Sequence, residues 1–114
     1  MRLLNLTPHP IVLRGSDGAD TTVPPAGTVA RVASTPGQPE TIDGVPVPVT
    51  SPQTWGEVEG LPAPAADTLL IVSALVLGRL AGTRPDCVAP GTGPADGAVR
   101  DPAGRIVAVT RLVR

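Results

Sequence analysis

Residues Thr68 to Gly82 read TLLIVSALVLGRLAG. Thr68–Val72 is a run of Leu, Ile and Val that suits a buried strand. Ser73 carries a side chain that caps helix starts. Leu75, Val76, Arg79 and Leu80 then recur at helical spacing, and Gly82 stands where a left-handed residue ends a helix. The stretch predicts a strand followed by a short helix over about residues 73–81. One helix from 67 to 81 is the alternative, because periodicity does not separate a short apolar strand from a buried helix. The apolar run Leu69–Leu77 is about half the length needed to span a bilayer.

Around this stretch the chain is built for strands. It has 114 residues, one domain's worth, with 15 Pro and 13 Gly that interrupt helices almost everywhere. Fifteen Val lead the apolar set, there is no Phe or Tyr, and Trp55 is the lone aromatic. β-branched residues fit a pleated surface. Upstream, residues 2–6 and 10–14 read as strands separated by Thr7-Pro8-His9-Pro10, with a turn at Gly15–Gly18. Residues 28–34 read as a strand with Arg31 in its middle. Asp43-Gly44 signals a hairpin, and Pro46 and Pro48 confine the Val45–Val49 strand to an edge. Residues 55–61 add a short strand. Downstream, Thr83–Asp86 leads into a loop, and Pro90–Gly97 reads as a mobile Gly/Pro-rich segment. Residues 105–113 (RIVAVTRLV) are apolar on both faces, which places them centrally in a sheet. The fold class expected is α+β, mainly β: a single compact antiparallel or mixed sheet, or a partly open barrel, with one short helix, in a single domain over 1–114.

Net charge is −1, with acidic and basic residues scattered, so nothing favours nucleic acid or a membrane surface. All nine basic residues are Arg. That suits bidentate phosphate recognition, and it equally suits a GC-rich coding sequence. A single cysteine, Cys87, excludes an intramolecular disulfide, and the N-terminal stretch lacks a signal-peptide pattern. The location expected is cytoplasmic.

Few residues can carry chemistry. His9 is the only histidine, a candidate general base or a turn residue between two prolines. With Cys87 it makes no metal-ligand spacing. Ser73 lies outside a Gly-x-Ser-x-Gly elbow and is the better helix cap. Gly91-Thr92-Gly93 is followed by Pro and opens no phosphate loop. The set Ser73, Arg79, Arg84 and Asp86 is more suggestive. A strand-to-helix junction favours an anion. Arg84 and Asp86 straddle Pro85, either gripping a ligand or pairing with each other. Arg100-Asp101 repeats the chemistry in a turn. Trp55 is core filling, an interface residue or a stacking platform.

Three segments read together, NLTPHP at Asn5–Pro10, PPAGTVARV at Pro24–Val32, and IVS at Ile71–Ser73 with RPD at Arg84–Asp86, resemble an uncharacterised family of small actinobacterial and phage proteins that open with an NLTPH motif. The resemblance covers most of the chain and implies no activity. In size, and in lacking a catalytic constellation, the chain is similar to small oligomeric phage proteins that sequester nucleotide immune signals, by fold-level analogy alone. The expectation is non-catalytic binding, or sequestration, of a small anionic or nucleotide-like ligand by a homo-oligomer. The ligand-binding residues expected are His9, Arg31, Ser73, Arg84 and Asp86, with no catalytic residue, cofactor or metal. One alternative is a small enzyme acting on a nucleotide or phosphorylated substrate, with His9 as base and Arg84 as clamp. The other is a structural or accessory phage protein.

Overall fold

The computed structural model describes residues 1–114. In chain order the elements are β1 (Arg2–Asn5), β2 (Ile11–Arg14), β3 (Asp20–Val23), β4 (Arg31–Thr35), β5 (Pro39–Glu40), β6 (Val49–Thr50), β7 (Thr54–Glu59), β8 (Thr68–Ile71), α1 (Ala74–Leu80), β9 (Cys87–Pro90), β10 (Val99–Arg100), β11 (Ile106–Ala108) and β12 (Leu112–Val113). With 39% of residues in strands and 6% in helix, the class is α+β, mainly β. No helix is long and apolar enough to cross a membrane.

The Thr68–Gly82 stretch resolves as strand plus helix. Ser73 Oγ accepts the Val76 N–H, and Ala81 ends the helix with φ 50°. Leu70 and Val72 pack with Val76 and Cys87 toward α1, whereas Ile71 packs with Val23 and Val88 on the opposite side. β8 is thus buried on both faces, which is why it reads as an unbroken apolar run. It pairs in parallel with β1 on one side and β9 on the other, and β12 closes the order β1-β8-β9-β12 antiparallel to β9. The β4–β7 ribbon and α1 cover one face of this sheet, with Val32 and Val58 packed against the core. Ile11 and Leu13 of the β2–β3 hairpin cover the other.

Two further two-stranded ribbons, β5–β6 and β10–β11, complete the fold, and the sheets are open and form no barrel. The 105–113 segment is not one central strand. It is broken into β11, paired with β10, and β12 at the sheet edge, and Ile106 and Val107 are exposed. Hydrogen bonds of Arg14 N to Val109 O and of Val109 N to Val12 O attach its middle to β2 instead. β4 begins at Arg31 rather than around it, because Ala30 N is already taken by Leu6 O. Cys87 lies in a buried strand, not a loop. Its three-residue apolar run between Pro85 and Pro90 was too short to read as one.

Cys87 is 1% exposed, and burial first, then the Asp86 carboxylate, pushes its thiol above the ordinary range. Thiolate is the reactive form. The native protein is therefore expected to resist N-ethylmaleimide at neutral pH, with labelling by mass spectrometry appearing only in denaturant. Prompt native labelling would contradict this packing.

Candidate functional site

β1, β8 and β9 run parallel, so their carboxyl ends share one side of the sheet. Open parallel sheets bind ligands at that side. Here each strand leads into a segment that lines one cleft: Thr7, His9 and Pro10 after β1, Ser73 and Ala74 after β8, and Pro90 with Thr92 at the end of β9. Ile11 and Val12 of β2 and residues 106–109 form the remaining wall. The cavity is about 420 Å³, within the range of small-molecule sites. Its wall is aliphatic. Its rim carries the Thr7, Ser73 and Thr92 hydroxyls and one ionisable side chain, the imidazole of His9.

Asn5 sets the first rim. It is buried, 1% exposed, where β1 ends. Its Nδ2 donates to His9 O (2.8 Å) and Val23 O (3.0 Å), and its Oδ1 accepts from Thr7 N (3.0 Å) and Thr7 Oγ1 (2.6 Å). Thr7 Oγ1 also lies 3.1 Å from His9 O. One amide thereby ties the Thr7–Pro10 loop to the β2–β3 hairpin. Sequence reasoning quoted Asn5 only as part of a motif. The signal was there: an Asn two residues before Thr, at a strand end, is an Asx-turn pattern.

Asp96 sets the third rim. Its carboxylate accepts from Gly93 N (2.7 Å) and from the Arg111 guanidinium, while Thr110 Oγ1 donates to Asp96 O and Gly97 O. The Pro90–Gly97 segment expected to be mobile is therefore anchored. The Arg111 hydrogen bond foremost, with the Gly93 N–H, holds the Asp96 carboxyl below its usual range. Its native value is the lower one, so its contribution is present above the unfolded carboxyl value of about 3.9 and is lost as pH falls through the native value. Asp96→Asn is expected to speed amide exchange across 91–97 at neutral pH and to remove the acid-induced loosening of that segment. Unchanged exchange would contradict the anchoring.

His9 and Ser73 meet at the cleft, but Arg84, Asp86 and Arg31 do not join them. The reason is topological. Ser73 follows β8, Arg84 and Asp86 precede β9, and in a parallel pair those positions lie at opposite ends. Arg84 pairs bidentately with Asp86, Nε to Oδ1 and Nη2 to Oδ2 both at 2.9 Å, and also donates to Pro62 O at 2.8 Å. That pins the turn before β8 to the start of β9. Their mutual hydrogen bond is the main reason that the Arg84 value rises and the Asp86 value falls. Arg31 is exposed and stands opposite Glu59. Arg79 donates to Gly56 O and Trp55 O, joining α1 to β7. Trp55 is 41% exposed and does not fill the core. α1 has seven residues, and the Ser73 hydroxyl is occupied by the cap. No hydrogen bond links Ser73 to His9, and no group of three or more metal-ligating side chains assembles anywhere.

The chain matches no protein-family model, no curated protein and no solved structure.

Proposed function

We propose that the protein binds a small nucleotide-like ligand non-catalytically in this cleft. The observation that carries the reading is the cleft's division into two parts. An aliphatic wall, Ile11, Val12 and residues 106–109, offers a surface for a flat ring. At the rim the His9 imidazole, the Thr92 hydroxyl and the O–H proton that the Ser73 cap leaves free are available to sugar and phosphate oxygens, while Thr7 Oγ1, its proton given to Asn5, can only accept. Its place beyond the carboxyl ends of three parallel strands supports the same reading. Binding rather than turnover is favoured because Ser73 Oγ is held as the helix cap and makes no hydrogen bond to His9, the one imidazole at the cleft.

Isothermal titration with nucleoside monophosphates and cyclic dinucleotides tests this. The expected result is saturable binding with the nucleotide recovered intact, weakened about tenfold in His9→Ala by loss of one charge-assisted hydrogen bond. No heat with any of them at millimolar concentration would overturn the proposal.

A further inference from the structure

We infer that a second copy of this chain lays the projecting end of its β4–β7 hairpin, the arm formed by residues 34–55, across the open side of the cleft. The arm is one long hairpin. It leaves the body at β4, continues through β5, turns at Ile42–Val45 and returns through β6 to β7. Gly37 sits where a Cβ would overlap the Ser51 carbonyl, and Gln38 exchanges hydrogen bonds with Ser51, so the two legs are closely fitted. Yet from Ser34 to Trp55 every residue except Gly37 is exposed. A two-stranded ribbon with no core beneath it is marginal in water. This one holds Ile42, Val45, Val47, Val49 and Trp55 in solvent.

The surface area says how large the missing partner is. The chain exposes 7521 Å². A compact monomer of this mass exposes about 5800 Å². The radius of gyration is 17.6 Å, against about 13 Å for a compact chain of this length. Covering the excess on two chains would bury roughly 3400 Å² in total, the size of an obligate homomeric interface.

A second copy offers the matching surface. Apart from Met1, the large apolar side chains exposed outside the arm are Leu75, Ile106 and Val107. Ile106 and Val107 line the cleft, and Leu75 follows Ala74 at its edge. Glu40 and Asp43 are the arm's only charges, and the cleft lining carries no carboxylate to repel them. The inference does not rest on the ligand reading, since a dimer without ligand affinity would leave it standing.

Light scattering on the full chain at about 100 μM is expected to give at least twice 11.5 kDa. Val47→Asp with Val49→Asp, both exposed and so harmless to the fold, should raise the dissociation constant at least tenfold with an unchanged circular dichroism spectrum. Mixing Val47→Cys and Val107→Cys chains under mild oxidation should yield the mixed disulfide. A monomeric native chain, or association indifferent to the double aspartate variant, overturns the inference. So does cross-linking between arm cysteines alone.

Discussion

Asn5→Ala is expected to lower stability by about 3 kcal/mol, since the His9 and Val23 carbonyls and the Thr7 N–H lose a buried partner together. For a chain of this size that is a melting temperature lower by roughly 10–15 °C. The loop bearing Thr7 and His9 would loosen with it, so the nucleotide affinity proposed for the cleft is expected to fall too. Asn5→Asp separates the hydrogen bonds from shape. The carboxylate keeps the two Thr7 donors but faces the His9 and Val23 carbonyls with no donor of its own. Burial and those carbonyls raise its native value above that of the unfolded chain, so this variant is most stable below the unfolded value and loses stability as pH rises from there through the native value. Thermal melts of both variants between pH 4 and 8 check this. An alanine variant within 1 °C of the parent would mean that the amide holds nothing.

Leu70→Ala is the second large effect. Leu70 is 2% exposed, on the central strand, facing Leu6, Ala30, Val76 and Cys87. Truncating such a residue removes its transfer free energy and leaves a cavity, costing about 3–4 kcal/mol. Only 14 of 114 residues are buried, so few neighbours can relax into the gap. Against a typical total stability of about 5–15 kcal/mol the variant approaches unfolding at 37 °C. Urea titration should show a lower midpoint with an unchanged slope. The exposed Leu75→Ala is the matched control in the same stretch, with a cost below about 0.5 kcal/mol for the single chain.

The centre of the fold was legible because its signals are local. Ser73 and Gly82 bracket a helix, and an apolar strand precedes it. The parallel pairing of β1 with β8 was not legible, because Arg2 meets Thr68 across sixty-odd residues with no periodic trace of it. That pairing decides the site. It brings His9 and Ser73 to one cleft, while the parallel pairing of β8 with β9 leaves Arg84 and Asp86 at the far end, where they hold each other and Pro62. The apolar pattern of 105–113 misled because exposed Ile106 and Val107 look like core in sequence. Their exposure follows from attachment to β2 through Val109, which leaves the preceding residues at the cleft wall. Val45, Val47 and Val49 misled less, since their prolines marked an edge, and the structure extends that edge into a projecting arm.

The most direct test of the cleft is a chemical-shift map. Amide spectra of the ¹⁵N-labelled chain, titrated with the tightest-binding nucleotide, should move the resonances of Thr7, His9, Ser73, Thr92 and Val107 together. Residues around Arg79 and Arg84 should stay still. Shifts centred on Arg84 and Leu61, with the carboxyl ends of β1, β8 and β9 unmoved, would contradict the account.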